Sequence, residues 1–163
     1  MTDQTEAIRR TYDEYFKVFQ TLRPEAVAPY YHVPSMAIST QGVTVMTTAE
    51  EVRALFRTMR TALQARDYAR SEHGDLQVRL LGDQTALVST SVARYATDGT
   101  QIERFGATYI LRQATPLTLA PSVQRAIELL PLTTLERAEV LEQNVAGIGW
   151  KIAVVTIHDA DTV

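Results

Sequence analysis

The chain contains no cysteine. That excludes disulfides, thiolate nucleophiles and cysteine-ligated metals, and it suits a reducing compartment. Histidine is scarce: His32, His73 and His158 are the three present, too far apart for any paired-ligand spacing, so no metal site is expected. A glycine-rich phosphate loop, a Gly-x-Ser-x-Gly elbow and a dinucleotide fingerprint are all missing, and no cofactor is expected. Concentrated positive charge is missing too. Sixteen Lys and Arg face nineteen Asp and Glu, for a net charge of −3, and the basic residues are scattered, which argues against a nucleic-acid partner. No apolar run approaches membrane-spanning length, and the opening Met1-Thr2-Asp3-Gln4-Thr5-Glu6 lacks the basic start and apolar stretch of a signal peptide. The expectation is a cytoplasmic protein with no membrane partner.

What is present is a change of hydrophobic rhythm along 163 residues, a length that suits one domain with a full core. Ile8, Tyr12, Tyr15, Phe16 and Phe19 recur at helical spacing, as do Val52, Leu55, Phe56, Met59 and Leu63. Thereafter period two takes over, in Leu76-Gln77-Val78-Arg79-Leu80 and again from Phe105 to Leu111. Helices first and strands later predict an α+β domain. The first helix is expected over about 5–21. Pro24 opens a short second helix, which Pro29 and Pro34 limit. A small hairpin turns at Gln41-Gly42. Thr47 and Thr48 stand ahead of Glu50 and Glu51, a capping box in either register for a third helix to about Gln64. Strands follow at about 67–81, 85–95, 103–113 and 150–157. Between them the stretch 114–146 reads as a helical insertion, with one short helix from Pro121 carrying Val123, Ile127 and Leu130 and another carrying Leu135, Ala138 and Leu141.

In this order the chain resembles the nuclear transport factor 2-like superfamily, in its bacterial ketosteroid isomerase-like and SnoaL-like branch. The residues that carry the likeness are the opening aromatic stripe, Pro24 to Tyr31, Leu81 to Val88, Asp98-Gly99-Thr100, Tyr109 to Arg112 and the closing Gly149-Trp150-Lys151-Ile152. The resemblance implies one domain over 1–163: a cone-shaped, strongly bent antiparallel sheet packed against three N-terminal helices, with the insertion before the last strand. It implies a largely apolar cavity for a small apolar or aromatic ligand, and a homodimer. Members include isomerases, dehydratases, epoxide hydrolases, cyclases and non-catalytic binding domains.

The chemistry those relatives use is thinly represented. The early strand Ser35–Ser39 holds none of the acids that serve ketosteroid isomerases as base. Two residues after Arg94 stands Ala96, where epoxide hydrolases have an Asp. His73 is similar in position to a histidine of scytalone dehydratases, while Phe19 stands where that family has a tyrosine. His73 is therefore the candidate general base, since imidazole titrates near neutral pH. A regular strand points it away from the apolar face; a bulge at Gly74 brings Ser71 and His73 inward. The candidate pocket residues are Tyr12, Tyr15, Phe16, Phe19, Tyr31, His32, Met36, Phe56, Met59, Thr90, Arg94, Tyr109 and Trp150. Tyrosines supply phenolic donors for a carbonyl, and Arg94 either steers an anion or forms a cross-strand ion pair. His32, between two prolines, suits an anchor that bonds the backbone. The reading that results is a small-molecule-binding domain, an isomerase, dehydratase or cyclase acting on an apolar carbonyl compound in one version and a non-catalytic binding or oligomerisation module in the other.

Overall fold

A computed structural model describes residues 3–114, 129 and 149–163. The expected insertion helices lie outside the described residues. Helix α1 spans Asp3–Phe19 and buries Ile8, Tyr12, Tyr15, Phe16 and Phe19. These are the five residues that the helical spacing marks, and they form one stripe because three- and four-residue steps return to the same face. Helix α2, Pro24–Val27, starts on its proline, whose missing N–H is no loss in a first turn. Helix α3, Ala49–Gln64, is capped by the second of the two registers. The Thr48 hydroxyl accepts from the Glu51 N–H, and the Glu51 carboxylate accepts from the Thr47 and Thr48 backbone.

Among the described residues, seven strands form one bent, open sheet. They are β1 (Tyr31–Ser39), β2 (Gly42–Met46), β3 (Tyr68–His73), β4 (Gln77–Leu80), β5 (Thr85–Ala96), β6 (Gln101–Gln113) and β7 (Trp150–His158). Their order is β2-β1-β7-β6-β5-β3, with β4 continuing beside β5 where β3 stops. The sheet is mixed: every pairing is antiparallel except β1 with β7, the first long strand beside the last. The β1–β2 hairpin turns through Thr40-Gln41, and Gly42 opens β2 at φ +133°, a backbone conformation that a side chain would strain.

Irregularities curl the sheet. Register shifts fall in β1 against β7, β3 against β5, β5 against β6 and β6 against β7. Each such bulge adds local twist and bend. The bends fold the sheet's inner face around α1 and α3, and one continuous apolar cluster links the α1 stripe to Val52, Phe56 and Leu63 of α3 and to Val88, Val92, Tyr109, Leu111 and Ile152 of the sheet. Along β5 the alternation is strict: Ala86, Val88, Thr90 and Val92 are buried, and the residues between them are half-buried.

Candidate functional site

The inner face is not filled everywhere. A cavity of about 190 Å3 lies between the helices and the open end of the sheet. Its helical wall is Tyr15, Phe16 and Phe19 of α1 with Leu55, Phe56 and Met59 of α3. Facing them across the sheet are Ala37, Ile38, Val92, Phe105, Tyr109, Val155 and Ile157. Polar atoms are few and come from Tyr15, Tyr31, Tyr109, Ser39, Thr44, Ser71 and Arg94; none of the lining residues is an Asp, Glu or His.

Three buried phenols form the closed end. The Tyr15 and Tyr31 hydroxyls are 3.1 Å apart and hydrogen-bonded, and the Tyr109 ring packs 6.0 Å from Tyr15. Burial pushes all three phenols above their ordinary pKa. Neighbouring phenols add to it for Tyr15; for Tyr31, Tyr109 adds to it and the Tyr15 hydrogen bond moderates it. For Tyr109 the Tyr12 hydrogen bond, the Arg94 charge and the Tyr15 hydrogen bond moderate it. At neutral pH they are proton donors, and the linked phenols together retain one O–H to offer to a carbonyl oxygen. Dry, apolar surroundings strengthen such a hydrogen bond.

The open end carries Arg94. Its Nη1 donates to Glu103 Oε1 at 2.7 Å across the β5–β6 ladder, where the two residues are paired. The guanidinium carbon lies 5.2 Å from the Phe19 ring centre and 4.7 Å from that of Phe105. Both alternatives left open by the sequence are thus compatible with its place: it forms the cross-strand ion pair and it lines the cavity.

Eight of the thirteen candidate pocket residues are in the wall: Tyr15, Phe16, Phe19, Tyr31, Phe56, Met59, Arg94 and Tyr109. The others lie elsewhere. Tyr12 sits a turn earlier on α1, stacked on Phe16 and edge-on to Tyr109, with its hydroxyl buried on the Tyr109 side. His32 holds the Pro34 carbonyl through Nδ1 at 2.9 Å, the backbone-anchoring role. The Thr90 hydroxyl donates to the Gly74 carbonyl at 3.1 Å. Trp150 begins β7 opposite Gln113, at the far end of the ladder. Met36, half-buried on β1, is not in the wall either.

His73 ends β3, and the strand breaks over Gly74–Leu76 before β4 resumes. Gly74 is held against Ser91: its N–H donates to the Ser91 carbonyl, and a Cβ there would meet the Ser91 hydroxyl at 2.7 Å. With that break, Ser71 is buried in the cavity wall and Glu72 is exposed, whereas uninterrupted alternation with Leu76, Val78 and Leu80 would put Glu72 inside. His73 turns towards α1, not into the cavity. Its ring is edge-on to Phe16 at 4.7 Å and to Tyr12 at 5.5 Å. Nδ1 is 2.7 Å from the Gly74 carbonyl and Nε2 is 3.3 Å from Asp13 Oδ1.

Several wall residues were not among the candidates. Phe105 shares a strand face with Tyr109 at period two, and Leu55 is the helical neighbour of Met59, so both carried a signal. Ser39 and Thr44 lie at the outer end of the β1–β2 hairpin and carried none.

Comparisons with known proteins agree with this architecture. A family model described as NTF2-like protein (DUF6841) matches residues 4–116. No curated protein matches the sequence. Among solved structures, the protein Aln2 from a Streptomyces species superposes with a TM-score of 0.64 at 12% identity, covering 99% of this chain and 94% of that one. An NTF2-like protein with a cystatin-like fold from Novosphingobium aromaticivorans gives 0.62 at 15% identity, over 98% and 83% of the two chains. A ketosteroid isomerase-like protein from Erwinia carotovora atroseptica gives 0.60 at 10% identity, over 97% of each. At such identities the likeness concerns the fold.

Proposed function

This chain belongs to the NTF2-like (DUF6841) family, and from that premise we propose that it binds a small apolar or aromatic carbonyl compound in the cavity between α1, α3 and the sheet. The observation that carries the reading is the cavity itself: an apolar, aromatic enclosure with a hydrogen-bonded phenol pair, Tyr15 and Tyr31, at its closed end. A void of about 150 Å3 lined by apolar side chains is large enough for benzene, so 190 Å3 suits one ring with a short substituent. Binding is favoured over turnover because the wall, among the described residues, holds no carboxylate or imidazole to take a proton.

The test is ligand-observed NMR with a set of one-ring ketones and aldehydes against the native chain and an Ala37→Phe variant. Ala37 lines the cavity, and a phenyl group there fills it. The expected outcome is binding that the variant loses while its thermal unfolding stays cooperative. Binding that survives in a folded Ala37→Phe protein would move the site elsewhere.

A second reading, an isomerase, dehydratase or cyclase, draws on His73. Its Nε2 lies beside Asp13 and its ring against Tyr12 and Phe16, one layer behind the cavity wall. In that version the tyrosines polarise a carbonyl and His73 shuttles a proton. Turnover of an identified substrate that is unchanged in His73→Ala removes it. A homodimer and a cytoplasmic location belong to the same proposal; light scattering on the purified chain checks the first.

A further inference from the structure

Arg94 is the one cationic residue in the described cavity wall. An arginine presents five N–H donors, yet the hydrogen bond it makes among the described residues is Nη1 to Glu103, and its buried Nε has no partner. Glu103 is itself shared, because Arg66 Nη1 approaches its other oxygen at 3.5 Å. Two guanidiniums therefore face one carboxylate, and the wall supplies no acid to balance the second. Arg66 is half exposed, whereas the Arg94 guanidinium lies beside apolar rings, where screening is weaker than in bulk water. Phe19 and Phe105 flank the guanidinium and limit its rotation.

Ser71 lies next to it. In the β3–β5 ladder Ser71 is the residue paired with Arg94, and both line the cavity. The Ser71 hydroxyl is hydrogen-bonded to the Tyr68 hydroxyl at 2.7 Å, so a donor hydrogen from that pair can face an acceptor in the cavity. A guanidinium and a hydroxyl on adjacent strands thus line a wall in which no described residue is an acid, the Glu103 carboxylate lying outside that lining.

We propose that Arg94 and Ser71 form a carboxylate subsite, so that the ligand is a one-ring acid whose ring fills the apolar cavity and whose carboxylate meets Arg94 at the mouth. The proposal rests on the reading of this cavity as the ligand site and adds the charge of the ligand to it. A carboxylate fits better than a phosphate monoester because it is planar, matches the guanidinium fork and carries the single negative charge that the two-to-one ion group leaves unbalanced.

Calorimetric titration of the native chain at low salt with benzoate against benzamide, and with phenylacetate against phenylacetamide, tests it. The expected result is that each acid binds at least about tenfold more tightly than its amide, as one charge-assisted hydrogen-bonded contact provides, and that the preference narrows as salt rises. Arg94→Gln is expected to remove most of the preference, with acid affinity falling far more than amide affinity. Glu103→Gln, which frees the guanidinium, is expected to raise acid affinity, and it gives a second readout should Arg94→Gln fail to fold. Equal affinity of acid and amide for the native chain overturns the carboxylate subsite and leaves the ligand-binding reading intact. Failure of all four compounds to bind overturns the carboxylate subsite alone if the one-ring ketones and aldehydes bind, and overturns both readings if those fail as well.

Discussion

Phe16 divides the inner face of the molecule into two unlike neighbourhoods. On one side Tyr12, His73 and Thr90 pack ring on ring and hydroxyl on carbonyl, with Tyr109 shared between this side and the cavity wall. On the other side Tyr15, Tyr31, Phe56, Met59 and Arg94 surround a void. The packed side has the imidazole and a carboxylate partner for it; the open side has a cavity but, among the described residues, no acid or imidazole. The imidazole–carboxylate pair and the cavity thus occur in one small domain without coinciding. This separation is the reason that binding is proposed ahead of catalysis.

The largest difference between the two sides should be in stability. Tyr12 is 1% exposed and in ring contact with Tyr15, Phe16, His73 and Tyr109, so Tyr12→Ala is expected to cost about 3–5 kcal/mol, the range for deleting a buried ring. Met59 borders the void and is half-buried, and Met59→Ala should cost less than about 2 kcal/mol, because one face of that side chain has few atoms to lose. Urea unfolding measures both. Equal costs would mean that the open side is packed as tightly as the closed one.

Alkaline pH gives the next largest effect. Burial raises the phenol pKa of Tyr12, Tyr15, Tyr31 and Tyr109 above the ordinary 10.0. Above pH 10 the unfolded chain therefore loses these protons first. The stability they contribute is complete below that value and declines as pH rises past it, by about 1.4 kcal/mol per pH unit for each proton. Lys151 acts in the opposite sense: burial lowers its pKa from 10.5, so between its lowered value and 10.5 its deprotonation favours the folded state. The double variant Tyr15→Phe, Tyr31→Phe should flatten the alkaline decline by up to two protons. A decline of unchanged steepness would mean that water in the cavity lets those two phenols ionise in the folded protein, and the two sides would then differ in wetness as well as in packing.

Much of this architecture is legible in the sequence because burial is periodic. The α1 stripe, the Thr48–Glu51 cap and the alternation along β5 each follow from local spacing, and each is present. Local spacing does not say which distant strands meet. That β1 runs parallel to β7 depends on how the whole chain returns across the sheet, and no window of sequence contains it. The site is legible to the same extent. Rings on a helical stripe had to face inward, so Tyr15, Phe16 and Phe19 were found. The division between packed and empty space depends on how the sheet bends, so Tyr12, Thr90 and Trp150, equally apolar in their setting, fell outside the wall. The facing of Ser71 and His73 turned on whether the strand breaks at Gly74, and composition alone leaves that choice open.

The smallest expected effect is the one that bears most on function. His73 contributes an edge-on contact to Phe16, another to Tyr12, and a half-exposed pairing with Asp13. Edge contacts of this kind add about 0.5–1.5 kcal/mol, and a surface ion pair adds little. His73→Gln is therefore expected to lower stability by about 1 kcal/mol, measured by thermal unfolding. Because the imidazole lies behind Phe16 and outside the cavity wall, the affinity of a one-ring ligand should change less than about twofold, well under the tenfold that one lost charge-assisted hydrogen bond produces. A tenfold or larger change in affinity, with stability only slightly reduced, would mean that the packed and open sides act as one site. The His73–Asp13 pair would then be connected to the ligand through Phe16 and Tyr12, and the catalytic reading would displace the binding one.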